Sequence, residues 1–251
     1  LGEVIGPLAI GFLLAFFDWR TTLQIWAIPG LAIGLLYSMF GAEQGAASGS
    51  RGRDYRRGLW EDVLKNRAVF GLVAVSTLRA MGQTALAAFL PLYLSLHLHL
   101  AAGVAGAYMS VLFLFAGVAP ALVGWISDRF GHRRLIALFS VLSGLTVIAI
   151  PYLGSGYGLA AGFGALGALL WALRPVIISA AMEAAPKDLI GSIVAVIFGA
   201  NMGVSFLAPI MAGLVADRYG LPAAVIAIAI FPLLAGIISL ILIGSPAKSK
   251  A

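Results

Sequence analysis

Long hydrophobic runs, separated by short polar or basic stretches, make up most of this chain. The runs approach or exceed the roughly 20 residues that a helix needs to cross about 30 Å of hydrocarbon. They do not alternate apolar and polar positions, as membrane-spanning strands would. The pattern therefore predicts an all-α membrane protein, a polytopic helix bundle. The predicted spans are residues 1–17, 21–40, 69–96, 103–126, 134–152, 157–183, 189–216 and 222–244.

The amino-acid composition agrees with a membrane protein. Hydrophobic residues make up 61% of the 251 residues and charged residues only 10%, whereas about 25% of a soluble domain is charged. There is no cysteine, which excludes disulfides and cysteine-based catalysis or metal binding within this sequence. No phosphate-binding lysine motif is present, and the G-x-G-x-x-G match at residues 162–167 lies inside an apolar run, where it predicts helix packing. We expect neither an enzyme nor a bound cofactor or metal.

The basic residues fall mainly in every second loop. With residues 124–134 placed inside the cell, alternation puts twelve of the sixteen Lys and Arg residues in inner loops, the usual bias of membrane proteins. This bias accounts for the net charge of +6 without a nucleic-acid partner. It predicts a multi-pass protein of the cell (inner) membrane, with residues 41–67 and the C-terminus in the cytoplasm. The twelve residues are Arg51, Arg53, Arg56, Arg57, Lys65, Arg67, Arg129, Arg133, Arg134, Lys187, Lys248 and Lys250.

A small, polar and basic segment, residues 41–58, interrupts the apolar chain. Its composition is typical of a flexible linker. We therefore predict three parts: residues 1–40, the linker at residues 41–58, and residues 59–251 with six spans. The first span is short and begins without Met or a basic flank, so we expect the sequence to begin within a helix.

One basic stretch, residues 124–134, joins the fourth and fifth predicted spans. Glycine permits the close approach or positive φ that a turn between buried helices requires. The stretch resembles the loop signature G-x-x-x-D-R-x-G-R-R of the major facilitator superfamily, with His132 where the family more often has arginine. The matching residues, which the resemblance makes a candidate inner gate, are Gly124, Asp128, Arg129, Gly131, Arg133 and Arg134.

This resemblance implies a twelve-helix transporter that works by alternating access, built from two parallel six-helix repeats. Residues 59–251 would be its C-terminal half, and residues 1–40 the last part of its N-terminal half. The chain would then be N-terminally truncated with respect to that fold. The pairs Gly6-Pro7 and Ala208-Pro209 lie in similar segments six spans apart, which agrees with the repeat.

The first span carries small residues and a proline at helical spacing. Its sequence resembles G-x-x-x-G-P-x-x-G-G, a motif in the fifth helix of proton-coupled exporters of the family, with Ile10 in place of one glycine. Such a helix either packs closely against its neighbours or bends and seals the protein against proton leak. The motif residues are Gly2, Gly6, Pro7 and Gly11.

Two arginines, Arg79 and Arg174, fall inside predicted spans and are the main candidates for function. Arg79 lies about ten residues into its span, or roughly 15 Å by helix rise. A charge at that depth needs a water-filled cavity, a carboxylate partner or an anionic substrate. Guanidinium groups suit carboxylate, phosphate or phosphonate, which they bind with two parallel hydrogen bonds. The alternative for each arginine is a structural ion pair.

Other polar side chains inside spans are weaker candidates. Gln83 lies one turn beyond Arg79 on the same helix face, and Asn201 lies in a later span. Both either bind substrate or join helices by hydrogen bonds. Glu3 is a clear acidic candidate within a span, and it acts either in proton coupling or in packing. Pro91, Pro120, Pro175 and Pro209 are helix breakers where a moving bundle would bend.

Short runs around Arg79 and Arg174 resemble the corresponding helices of fosmidomycin-resistance-type exporters, in the drug-to-proton antiporter branch of the superfamily. The resemblance implies export of a small organic or anionic compound, drug-like or phosphonate-like, in exchange for protons. Substrate, protons and the lipid bilayer would be the partners of a monomer. The alternatives are proton-driven uptake of an organic anion, and a membrane fragment or sensor that does not transport.

Overall fold

The computed structural model describes residues 10, 12–14, 17–40, 66–185 and 189–242. Helices make up nearly all of these residues, and no strand occurs among them. The helices are α1 (Trp19–Phe40), α2 (Arg67–Leu92), α3 (Ala102–Phe130), α4 (His132–Ala149), α5 (Tyr157–Leu166), α6 (Leu173–Ala184), α7 (Ile190–Ser205), α8 (Leu207–Tyr219), α9 (Leu221–Ile228) and α10 (Ile230–Leu242). π-helical turns at Tyr93–His97 and Gly167–Trp171 follow α2 and α5, and a 3₁₀ turn at Ile150–Tyr152 follows α4.

Six helical stretches of the described chain are long and apolar enough to cross a membrane. They coincide with the last six predicted spans and confirm an all-helical, polytopic membrane fold. The second predicted span forms the 22-residue helix α1. The six stretches are Arg67–His97, Ala102–Ser127, His132–Tyr152, Tyr157–Ala184, Ile190–Tyr219 and Leu221–Leu242.

Three of these stretches are broken at a fixed distance before a proline. Pro175, Pro209 and Pro232 each lack the N–H that would bond the carbonyl four residues earlier, and their rings crowd that carbonyl. The helices change at those places: the π-helical turn ends at Trp171, α7 ends at Ser205 and α9 ends at Ile228. Proline position therefore explains where the spans divide. The expectation fails at Pro91 and Pro120, which lie within the continuous helices α2 and α3.

The six stretches pack around two clusters of buried apolar side chains. One cluster contains Leu86, Tyr93 and Phe163, and the other contains Leu72 and Ile136. The glycine run at residues 162–167 serves close packing, as predicted, since a Cβ at Gly167 would overlap the backbone carbonyl oxygen of Leu112. The backbones of helix α3 and of the π-helical turn at Gly167–Trp171 are therefore in direct contact.

The basic stretch at residues 124–134 differs from its prediction. Helix α3 runs four residues past the predicted end, to Phe130, and α4 begins at His132, so the turn consists of Gly131 alone. Gly131 has φ of 85°, a conformation that favours glycine. Gly124 lies inside α3, and a Cβ there would meet no described atom within 4 Å. The prediction that Gly124 forms a turn or a close contact is therefore wrong.

Several predictions lie outside the described residues. They are Glu3, the packing motif Gly2, Gly6, Pro7 and Gly11, the linker at residues 41–58, and the basic residues Lys65, Lys187, Lys248 and Lys250. The division into residues 1–40, 41–58 and 59–251 stays a prediction.

Candidate functional site

Arg79 is a buried cation in the middle of a membrane-spanning helix. It lies twelve residues after Arg67, the first residue of α2, which corresponds to about 18 Å along the helix. Only 2% of its surface is exposed. Asn66 fixes the start of this helix: its side-chain oxygen accepts hydrogen bonds from the N–H groups of Ala68 and Val69 at 3.1 and 3.4 Å. The depth of Arg79 in the bundle is therefore set by a capped helix.

Gln83 joins Arg79 to a neighbouring span. Nη1 of Arg79 donates to Oε1 of Gln83 at 2.5 Å, and Nε2 of Gln83 donates to the backbone oxygen of Leu170 at 3.3 Å. Since a guanidinium only donates and a carbonyl only accepts, these two bonds fix the orientation of the amide. Leu170 belongs to the π-helical turn at Gly167–Trp171, where the regular helical bonding changes. A backbone carbonyl thus positions the side chain that holds Arg79.

Asn201, on α7, contacts the helix that carries Arg79. Its Nδ2 donates to Oγ of Ser76 at 3.0 Å, which joins α7 to α2 one turn before Arg79. Among the described residues, Oδ1 of Asn201 and Nε of Arg79 are buried without a hydrogen-bond partner. Buried polar groups are normally satisfied, so this region holds one hydrogen-bond donor and one acceptor that lack a described partner.

Arg174 is exposed on α6, in contrast to Arg79. Its Cζ lies 5.4 Å from the ring centroid of Phe198 on α7. This distance allows a cation–π interaction. Arg174 is near enough to Arg79 for the two positive charges to repel each other. Its exposed position leaves the guanidinium accessible.

The site formed by Ser76, Arg79, Gln83, Arg174 and Asn201 has an unbalanced charge. Within the part of the chain that the structure describes, no Asp or Glu lies in salt-bridge range of either arginine. Burial of an uncompensated charge is costly. The structural ion pair that was the alternative for Arg79 therefore has no described partner, and the arrangement suits an anion.

All five of these residues lie in predicted spans, but the sequence did not predict how they meet. In the structure, Arg79, Gln83 and Asn201 lie in one region, and Arg174 is nearby. Sequence analysis missed two groups of the site. The carbonyl of Leu170 was missed because only the π-helical turn makes it available for a side-chain hydrogen bond. The ring of Phe198 was missed because nothing in its apolar run distinguishes it. Asn66 was also missed, although Asn just before an apolar helix is a recognisable N-cap.

The candidate gate lies where α3 meets α4. Arg129 places its Cζ 4.0 Å from the ring centroid of Trp125. Arg133 donates from Nη2 to the backbone oxygen of Leu240, and Oγ of Ser239 donates to the Arg133 oxygen at 3.2 Å. Arg133 therefore joins the start of α4 to the end of α10. Arg134 is exposed, and the side chain of Asp128 lies outside what the structure describes.

The sequence profile of the Major Facilitator Superfamily matches residues 1–204 and 72–251. A protein of Bacillus subtilis (strain 168), described as the uncharacterized MFS-type transporter YfnC, is 30% identical over 146 residues. That match covers 57% of this chain and 34% of the relative, so it spans about a third of the relative's length. Because the two profile matches together extend over the whole sequence, the chain belongs to the major facilitator superfamily, a family of multi-pass membrane transporters.

Proposed function

We propose that this chain is part of a secondary active transporter that exports a small anionic compound in exchange for protons. Arg79 carries the proposal, because it is a buried guanidinium with no described carboxylate partner. Such a charge in a membrane bundle usually serves a substrate or ion pathway. Among anions, phosphonates and carboxylates match the fork of a guanidinium best.

The substrate contacts follow from the geometry of the site. Gln83 occupies Nη1 of Arg79, which leaves the edge formed by Nε and Nη2 for two parallel hydrogen bonds to an oxyanion. Arg174 provides a second positive charge near the first, and Asn201 provides a buried acceptor, Oδ1. The anion would bind between these groups, with Gln83 and Asn201 completing its contacts.

The direction of transport and the orientation in the membrane belong to the same proposal. The basic residues of alternate loops favour a cytoplasmic location for the turn at Gly131 in the cell membrane. The short runs around Arg79 and Arg174 that resemble fosmidomycin-resistance-type exporters favour drug-to-proton antiport. Glu3 is the candidate for proton coupling. Rocking of the two halves would break and remake contacts near Arg129 and Arg133.

Flux measurements on the full-length protein in proteoliposomes test the proposal. A radiolabelled phosphonate such as fosmidomycin is supplied on one side, and a proton gradient is imposed in either direction. In the parent, we expect the phosphonate to move in the direction opposite to the flow of protons. In Arg79→Ala, we expect this flux to fall by at least about 100-fold, since removal of one partner of a buried charge pair costs about 3–5 kcal/mol. Arg79→Lys keeps the charge without the fork and should fall between the two.

Thr84→Ala is the matched control, because Thr84 is an exposed residue of the same helix whose hydroxyl donates to the carbonyl of Ala80 in its own helix. Its flux should equal that of the parent. If Arg79→Ala inserts normally and transports like the parent, the substrate role of Arg79 is wrong. Flux in the same direction as protons would instead establish uptake.

A further inference from the structure

His132 joins three helices at the turn between α3 and α4. It is the first residue of α4 and is mostly buried, with 16% of its side chain exposed. Its Nδ1 lies 3.3 Å from Oγ of Ser127 on α3. Its Nε2 lies 3.4 Å from Oγ of Ser179 and 3.5 Å from Oε1 of Glu183, both on α6. We call these four residues the His132 junction.

The strength of this junction depends on the charge of the imidazole. Neutral histidine has one N–H, so only one of its two nitrogens donates. The protonated ring donates from both nitrogens, and its positive charge attracts the Glu183 carboxylate, which only accepts. Both serine hydroxyls can accept in that state. Protonation therefore adds one donor and one ionic attraction to the same set of contacts.

Among the described side chains, Glu183 is the acidic contact of His132. On α2, the exposed Arg67 follows Asn66, whose Nδ2 donates to the backbone oxygen of Ala184 at the end of α6. On α3, Asp128 and Arg129 follow Ser127 in sequence, and Arg129 stacks on Trp125. On α4, the Arg133 side chain is directed to Leu240 on α10 and Arg134 is exposed. Helices α7 and α10 contain no charged residue. The Glu183 carboxylate, whose side chain is 69% exposed, lies 3.5 Å from Nε2 of the ring.

We propose that the His132 junction is a proton-binding site that holds the turn between α3 and α4 against the end of α6. With a proton bound, His132 ties Ser127 to Glu183 and the three helix ends stay together. When the proton leaves, the attraction to Glu183 is lost and the ends separate more readily. Histidine is the side chain whose charge normally changes between about pH 5 and 8. The site does not depend on which substrate is transported.

Cysteine accessibility tests this site directly, because these 251 residues contain no cysteine. Cysteines elsewhere in the full-length protein are first replaced by serine. Ala180→Cys places the reporter next to Ser179, at a position that is 7% exposed. Phe130→Cys, at a position that is 67% exposed, corrects for the pH dependence of thiol reactivity. The measured quantity is the ratio of the two maleimide reaction rates in detergent.

We expect this ratio to rise at least about threefold between about pH 5.5 and pH 8, as the imidazole loses its proton. His132→Gln, which keeps one donor and carries no charge, should give a high ratio at every pH. His132→Arg, which is charged throughout, should give a low ratio at every pH. Glu183→Gln, which retains the histidine, should reduce the pH-dependent change to less than half.

A merely structural role for His132 predicts a different outcome. The substitutions would then loosen the protein, but the parent ratio would not change with pH. A flat parent ratio, or a pH-dependent change that persists in His132→Gln, overturns the proposal. If His132→Gln does not fold, Glu183→Gln decides alone, and an unaltered pH dependence in that variant also overturns it. None of these outcomes involves flux, so they are independent of the proposed transport.

Discussion

Replacement of Gln83 by glutamate tests the charge of the candidate site most sharply. Glutamate has nearly the same shape as glutamine, and its carboxylate would take the position of the amide oxygen that lies 2.5 Å from Nη1 of Arg79. The hydrogen bond to Arg79 would be kept and strengthened by charge. The bond from Nε2 to Leu170 would be lost, because a carboxylate cannot donate. The site would gain one negative charge and keep its guanidinium.

The expected effect follows from Coulomb energies. Two unit charges about 4 Å apart interact by about 4 kcal/mol at an effective dielectric constant of about 20, and by about 3 kcal/mol at about 6 Å. An anionic substrate bound to Arg79 would meet the introduced carboxylate at such distances. Because about 1.4 kcal/mol corresponds to a factor of ten, Gln83→Glu should weaken anion binding by about 100- to 1,000-fold. Exposure to water at the mouth of the site would lower this value.

Equilibrium binding of a radiolabelled phosphonate to the full-length protein in detergent measures this effect apart from transport. Gln83→Leu is the control, because it removes both hydrogen bonds but adds no charge. We expect Gln83→Leu to weaken binding by less than Gln83→Glu and by no more than about 150-fold, since two typical hydrogen bonds together contribute about 1–3 kcal/mol. If the two variants bind equally well, charge does not govern the site. If Gln83→Glu binds as tightly as the parent, the anion hypothesis is refuted.

Two further predictions concern other parts of the chain. Gly167→Ala should lower the free energy of unfolding by about 2 kcal/mol or more, because the added methyl meets backbone atoms of α3. Gly124→Ala should leave the free energy of unfolding unchanged or raise it, because the added methyl meets no described atom. Thermal unfolding in detergent compares the two variants. At the start of α1, hydrogen bonds from the Thr21 hydroxyl and N–H lower the pKa of Asp18 below its ordinary 3.8, so its support of the helix is present above that pH and is lost on acidification. Thr21→Ala should return the Asp18 pKa towards 3.8, and an NMR titration that finds no change would disprove this cause.

Much of the helix pattern could be predicted because it depends on local sequence. A helix lies at each of the last seven predicted spans, and a spacing of four residues places Gln83 beside Arg79 on one face. The failure at Gly124 has a local cause too. A glycine in a basic stretch suggests a turn at Gly124. Helix α3 instead continues to Phe130, and within the stretch it is Gly131 that takes a positive φ.

The contacts between spans could not be predicted, because they depend on how the helices pack. Asn201 meets Ser76 across 125 residues of sequence, and Gln83 meets the Leu170 carbonyl across 87. The second contact also requires a π-helical turn, which single-residue patterns do not reveal. His132 looked like a minor departure from a basic signature. Only the approach of Ser179 and Glu183 from α6 gives that position its chemistry.

The burial of Arg79 also suggests how a transporter of this kind could release its substrate. At about 4 Å, opposite charges attract by about 4 kcal/mol when the effective dielectric constant is about 20, but by only about 1 kcal/mol in bulk water. The same arginine and anion therefore bind tightly while the site is closed and weakly once water enters it. Because no described carboxylate competes for Arg79, this difference acts on the substrate. Under the proposed function, opening of the site is itself sufficient to weaken binding by about 100-fold, without any residue leaving its place.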